Sequence, residues 1–189
     1  MVGVSAGSCN AVDYVSKQIG RTRDCMIHRG KEYSYYYGLK DFVKERSLLD
    51  MDMIFNKYPN ELFPFDFDTY FSNGMTCEIV TTNCLTGNAE YMTEENDSDR
   101  LMKICRASSS MPLVCPIVNI DGIPYLDGGL ADSIPVKHVR KRDWKKIVLN
   151  FDETGRLPRK NQLPKRSVSY TGRCTANIRH LSAPVSEDR

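Results

Sequence analysis

Residues 1–18 read MVGVSAGSCNAVDYVSKQ, and this stretch decides the fold class. Residues 2–4 are rich in valine and predict the end of a buried strand. From Ala6 to about Gln18, small and apolar residues recur at helical intervals, which predicts a helix. A strand that runs directly into a helix is typical of α/β proteins. Because a buried strand needs neighbours in its sheet, we expect this chain to lack the start of its domain.

The turn between that strand and that helix is a G-x-S-x-G motif, formed by Gly3, Val4, Ser5, Ala6 and Gly7. Such a motif predicts a nucleophile elbow, in which a sharp turn presents a serine hydroxyl at a helix N-terminus. The glycines are expected to leave room for the neighbouring strand and helix. The backbone N–H of Ala6, next after the serine, is placed to stabilise an oxyanion.

A second motif, YLDGG at residues 125–129, follows another predicted strand. A carboxylate at the end of a strand, followed by Gly128 and Gly129, lies where another chain segment can approach closely. Asp127 is therefore a candidate for the group that activates Ser5, since a serine hydroxyl is a weak nucleophile without a base.

The histidines offer an alternative base. The chain order Ser5, Asp127, His180 would match an α/β-hydrolase triad. His180 lies in a segment without a folded pattern, however, and His138 follows Asp127 by only eleven positions in a predicted helix. His28 stands in a polar stretch without a clear period. A direct Ser–Asp pair is therefore favoured, with the triad as the alternative.

The remaining pattern predicts alternating strands and helices up to Phe151. Asp121-Gly122 is a strong hairpin signal, and the run from Leu62 to Phe67 is aromatic enough to anchor onto the core. The predicted strands are 76–82, 89–92, 114–120, 123–126 and 146–151, and the predicted helices are 41–47, 50–58, 97–107 and 135–141.

Composition places the chain among ordinary globular proteins, with 41% hydrophobic and 26% charged residues over 189 positions. The net charge of +2 is too small to indicate a nucleic-acid partner. Residues 152–189 carry eight Lys or Arg against four Asp or Glu and no apolar period, which predicts a basic, poorly ordered tail. Seven scattered cysteines without a C-x-x-C pair indicate reduced thiols in a cytoplasmic protein. No apolar run reaches the ~20 residues of a membrane span, so any membrane contact is expected to be peripheral.

Taken together, three segments in order and spacing resemble the patatin-like phospholipase family, in its bacterial branch. They are the GVSAG motif, RASSSMP at residues 106–112, and the stretch from Asp121 to Val136 that contains YLDGG. The resemblance runs from Val2 to about Phe151. It implies an acyl hydrolase domain over residues 1–151, built as a three-layer α/β/α sandwich with a mainly parallel central sheet.

The resemblance also implies a mechanism. Ser5 would attack the carbonyl of a lipid or other ester, and Asp127 would take its proton and return it to the leaving alcohol, with no metal and no cofactor. Family members carry a glycine-rich oxyanion loop upstream of the nucleophile strand. This sequence does not contain that loop, so a non-catalytic remnant that binds lipid or a partner protein stays open as an alternative. Ser108 to Pro112 receives no catalytic role.

Overall fold

A computed structural model of the protein describes residues 1–27, 30, 33–36, 47–141, 147–151 and 168–172. The chain divides into two compact units, Met1–Ile134 and Pro135–Arg189. Both sequence motifs lie in the first unit. No helix in the described part of the chain is long and apolar enough to cross a membrane.

The first unit combines a mixed sheet with helices. Its described strands are β1 (Val2–Val4), β2 (Glu78–Asn83), β3 (Ala89–Met92), β4 (Val118–Ile120) and β5 (Ile123–Asp127). Its described helices are α1 (Ala6–Val15), α2 (Arg21–Met26), a π-helix (Met53–Leu62), α3 (Phe67–Ser72), α4 (Ser98–Ser108) and α5 (Gly129–Asp132).

Strand β2 is the centre of this sheet, and its pairing positions both motifs. Strand β1 runs parallel to β2 and ends with Val4 opposite Val80. Strand β5 runs antiparallel to β2 and ends with Asp127 opposite Thr81. Because β3 pairs with β2 over Ile79–Thr82, β1 and β5 must share the other edge of β2. Their carboxyl ends therefore meet head to head.

The expected mainly parallel sheet is not what these strands form. The β1–β2 pairing is parallel, whereas β3 and β5 pair with β2, and β4 with β5, in the antiparallel sense. Short connections explain the β2–β3 and β4–β5 pairs, since two strands joined by a tight turn can only pair antiparallel. Asp121 and Gly122 form such a turn, with φ of 53° and 84°, as their sequence predicts.

Helices α1 and α4 pack on one face of the sheet. Gly3 lets α1 approach β1, because an added Cβ would lie 2.6 Å from the Ser8 Cα. Helix α4 begins at the N-cap Asp97, whose side chain accepts the Arg100 N–H, and buries Leu101 and Ile104 completely. The alternating and helical patterns in the sequence thus give one contiguous core.

Two predicted boundaries are wrong. The helix expected to stop before Pro59 continues through it as the π-helix, because the wider turn moves the backbone carbonyl that would collide with the proline ring. The strand expected from Val114 begins only at Val118, after a turned segment that contains Pro116. Of the predicted helix 41–47, residues 41–46 lie outside the described residues.

The second unit contains α6 (Val136–Arg140), β6 (Ile147–Phe151) and β7 (Val168–Gly172). Strands β6 and β7 pair in parallel, with Ile147 opposite Val168. The sequence predicted β6 but not β7, which lies in the segment expected to be poorly ordered. Residues 152–167 and 173–189 lie outside the described residues, so the domain boundary at residue 151 stays a prediction.

Candidate active site

Ser5 occupies the sharp turn between β1 and α1. Its backbone has φ 54° and ψ −127°, a conformation that glycine adopts readily and other residues rarely do. The Ser8 N–H and the Ser8 hydroxyl both donate to the Ser5 carbonyl, at 2.8 Å and 2.6 Å. The first turn of α1 thus fixes Ser5 in a strained backbone conformation, which is common at functional sites.

The Ser5 hydroxyl contacts Asp127 directly. Ser5 Oγ donates to Asp127 Oδ2 at 2.6 Å, within the range of a strong O–H···O⁻ bond. The other carboxylate oxygen, Oδ1, accepts the Gly129 N–H at 2.7 Å. Asp127 is only 4% exposed. Each carboxylate oxygen therefore has one donor, which fixes the orientation of the carboxylate.

The backbone of Asp127 is held as firmly as its side chain. Its N–H donates to the Ser110 carbonyl at 2.9 Å. Its carbonyl accepts the Thr82 hydroxyl at 2.7 Å. The position of the carboxylate is thus set by β2 and by the segment that follows α4, two elements distant from it in sequence.

Ser108 at the end of α4, which received no catalytic role from the sequence, lies at the candidate site. Its buried hydroxyl accepts the Ser5 N–H at 2.9 Å and donates to the Val80 carbonyl at 2.7 Å. Its carbonyl accepts the Gly128 N–H at 3.3 Å. Ser108 therefore bonds to both motifs. Four residues after Ile104, it occupies a core position of an amphipathic helix, and a serine there is the signal that could have revealed it.

The glycines differ in what they do. An added Cβ on Gly128 would lie 2.1 Å from the Val80 carbonyl oxygen, so only glycine fits there. An added Cβ on Gly129 would lie 3.0 Å from Asp127 Oδ1. Gly7 does not make the expected room for a neighbour within the described part of the chain, because outside its own helix backbone no described atom lies within 4 Å of its added Cβ.

Ala6 is the first residue of α1. The first N–H groups of a helix have no acceptor within the helix, and they carry its positive partial charge. The Ala6 N–H, on the residue after Ser5, is one of these groups.

The described residues do not test the alternative Ser–Asp–His triad. His138 belongs to α6 in the second unit, whereas His28 and His180 lie outside the described residues. The described partner of Ser5 Oγ is Asp127, with no residue between them.

The thiols of Cys9 and Cys105 are weaker candidates for the nucleophile than the Ser5 hydroxyl. Burial raises the pKa of the Cys9 thiol to about 11, and burial holds the pKa of Cys105 well above its usual value. Protonated thiols are weak nucleophiles at neutral pH. Cys77, Cys105 and Cys115 are free and buried, whereas Cys84 is exposed, and Cys174 lies outside the described residues.

The aromatic segment expected to anchor onto the core does so through Phe65, which is buried. Arg21, the first residue of α2, binds this segment. It donates to the Phe63 carbonyl through Nε at 2.9 Å and through Nη2 at 2.8 Å. It also pairs with the largely buried Asp13 at 3.0 Å. Burial raises the pKa of Asp13, against the bonds from Thr22 and Arg21. These contacts hold the far end of α1 in place.

The fold and site define an α/β protein with a serine on a strained strand–helix turn, bonded to a buried carboxylate. A family model described as patatin-like phospholipase matches residues 1–140, and the chain belongs to this family of lipid hydrolases. It is also similar to the uncharacterized protein YjjU of Escherichia coli K12, with 28% identity over 154 residues. That match covers 78% of this chain and 42% of YjjU, so the chain spans less than half the length of this relative.

Proposed function

We propose that the chain is a serine-dependent lipid acyl hydrolase, a phospholipase or esterase, that uses Ser5 and Asp127 as a catalytic dyad. The observation that carries the proposal is the 2.6 Å hydrogen bond from Ser5 Oγ to Asp127 Oδ2, made on a strained turn. Membership of the patatin-like phospholipase family supports a lipid ester as the substrate.

In the first half of the reaction, Ser5 Oγ attacks the ester carbonyl carbon while Asp127 takes the hydroxyl proton. The carbonyl oxygen becomes an oxyanion, to which the Ala6 N–H donates. When the tetrahedral intermediate collapses, the bond to the alcohol breaks and Asp127 returns the proton to that alcohol. The acyl group is then bound to Ser5 as an ester.

In the second half, water attacks the acyl-enzyme with Asp127 as the base, and Ser5 regains its proton as the fatty acid leaves. The Gly129 N–H keeps Asp127 Oδ2 aimed at the serine by holding the opposite oxygen. Preorganisation of this kind matters because a misplacement of about 1 Å can cost ~10²-fold in rate.

The same proposal includes the fold around the dyad. We place the dyad in a three-layer α/β/α sandwich of the patatin type, over a domain of residues 1–151. The helices α1 and α4 form one layer against the β-sheet, which supports two of the three proposed layers. We also propose that the protein is cytoplasmic and meets its lipid substrate through peripheral contact. The thiols of Cys77, Cys105 and Cys115, which form no disulfide, support a reducing compartment.

Hydrolysis of a short-chain p-nitrophenyl ester by the purified chain tests the proposal. Ser5→Ala and Asp127→Ala are expected to abolish turnover, whereas His138→Ala and His180→Ala are expected to leave it unchanged. Loss of activity in a histidine variant would instead favour the triad. A folded chain without any Ser5-dependent hydrolysis would favour the non-catalytic remnant.

A further inference from the structure

Residues 111–117 lie between α4 and β4, and we call them the apolar loop. It exposes three large apolar side chains: Met111 is 45% exposed, Leu113 93% and Ile117 59%. No charged residue occurs anywhere from Ala107 to Ile120. Single exposed apolar residues are ordinary, but a protruding group without charges marks an interaction site.

The apolar loop is held in shape rather than free to collapse. The N–H groups of Val114 and Cys115 both donate to the Met111 carbonyl, at 3.2 Å and 2.9 Å, and Cys115 is buried. The Leu48 N–H donates to the Val114 carbonyl at 2.8 Å, and Leu48 is itself 42% exposed. Backbone bonds thus hold the loop in a turn whose apolar tip projects into solvent.

The tip of the turn is strained as well as exposed. Leu113 has φ 67°, in the left-handed region. Asparagine and aspartate offset this conformation with local hydrogen bonds, but leucine has no polar group to do so. A leucine that is both strained and exposed gains nothing in water, and such outliers point to a function.

The apolar loop starts where the candidate active site ends. Ser110, the residue before it, accepts the Asp127 N–H through its carbonyl. Ser108, whose hydroxyl accepts the Ser5 N–H, precedes Leu113 by five residues. Five residues span at most about 18 Å, so Leu113 lies within reach of the molecular surface around the nucleophile.

We propose that the apolar loop docks the protein on a lipid surface, with Leu113 inserted among the acyl chains beside the dyad. This inference rests on the proposed function and adds the surface through which the substrate is met. A lipid layer fits better than a protein partner, because a single protruding side chain would need a complementary pocket on a protein but enters fluid acyl chains without one. The absence of charge indicates a zwitterionic surface.

The test measures binding of the chain to phosphatidylcholine vesicles by co-sedimentation, with labelling of Ser5 by a soluble fluorophosphonate as a separate readout. The variant is Leu113→Asn, because asparagine tolerates a positive φ and the fold should not suffer. Leu85→Asn is the matched control, since Leu85 is 73% exposed in the turn after β2. We expect Leu113→Asn to weaken vesicle binding at least fivefold, in low and high salt alike, with Ser5 labelling and Leu85→Asn binding unchanged.

Equal vesicle binding by wild type and Leu113→Asn would overturn the inference, as would a wild-type chain that does not bind the vesicles. Neither result touches the proposed function while Ser5 labelling persists. If Ser5 of the folded wild-type chain were not labelled at all, that result would refute the proposed dyad instead. If sedimentation showed that Leu113→Asn converts a dimer into a monomer without a change in vesicle binding, the surface would belong to a second copy of the chain.

Discussion

Replacement of Ser108 by valine or by threonine separates the hydroxyl from the shape of the side chain. Both substitutes are branched at Cβ and nearly equal in size, but only threonine keeps a hydroxyl. In the native protein this hydroxyl accepts the Ser5 N–H at 2.9 Å and donates to the Val80 carbonyl at 2.7 Å. Ser108→Val therefore leaves a buried amide at the nucleophile without its acceptor.

The expected size of the effect follows from two terms. A buried donor without a partner costs about 1–3 kcal/mol. The strained backbone of Ser5 stores energy of similar size, ~1–3 kcal/mol, so the turn will relax once this bond is lost. Because about 1.4 kcal/mol corresponds to a factor of ten in rate, the reaction of Ser5 should slow roughly tenfold to hundredfold relative to Ser108→Thr.

The assay is the second-order rate of Ser5 labelling by a fluorophosphonate, corrected for the folded fraction from urea unfolding. Ser16→Ala is the matched control. Ser16 is also buried, and its hydroxyl donates to the Asp13 carbonyl at 3.2 Å, at the far end of α1. It should lose stability but keep its labelling rate. Equal rates for Ser108→Val and Ser108→Thr would refute the reasoning.

Three further outcomes are expected. Gly128→Ala should unfold the protein or lower its free energy of unfolding by about 3 kcal/mol or more, since the added Cβ would lie 2.1 Å from a backbone oxygen. Gly7→Ala should be tolerated, because outside its own helix backbone no atom of the described residues lies within 4 Å of the added Cβ. Urea unfolding of the two variants compares them directly. Ser5→Gly should be more stable than Ser5→Ala by about 1 kcal/mol, because both lose the hydroxyl and only glycine relieves the strain; equal midpoints in urea would argue against strain. Burial raises the pKa of Glu94, but hydrogen bonds from backbone amides and Arg100 outweigh it and lower the pKa to about 2. Because this pKa is lower in the folded state, the Glu94 carboxylate stabilises the protein fully above its unfolded pKa of 4.5, and this stability is lost as pH falls toward 2. In thermal melts at a series of pH values, Glu94→Gln should therefore lose less stability over this range than the wild type. An equal loss of stability in the two proteins would contradict the assignment.

Short-range patterns account for the parts of the fold that the sequence predicts well. Asp121-Gly122 specifies its own hairpin, because both residues tolerate the positive φ of the turn. Helix α4 follows from its cap at Asp97 and its apolar spacing. Ser5 and Asp127 stand out as candidates because Ser5 follows a strand and Asp127 ends one, each within a short glycine-containing motif.

What the sequence does not reveal depends on contacts between distant segments. Strands β1 and β5 share one edge of β2, and no local pattern states that the two strand ends meet there. The part played by Ser108 depends on the Ser5 N–H, 103 positions away. The π-helix continues through Pro59, although the rule that proline ends a helix, which holds for α-helices, predicts a stop there. The pairing of the two motifs was predicted from the weakness of the histidine candidates and from the family resemblance, not from periodicity.

The central claim is that Asp127 activates Ser5, and covalent labelling tests it most directly. The chain and its Asp127→Ala variant would be treated with a fluorophosphonate, weighed intact and mapped by peptide mass. One adduct on the peptide that contains Ser5, formed at least a hundredfold more slowly in the variant, is the predicted result. An adduct on another residue, equal rates in the two proteins, or no adduct on the folded chain would contradict the account.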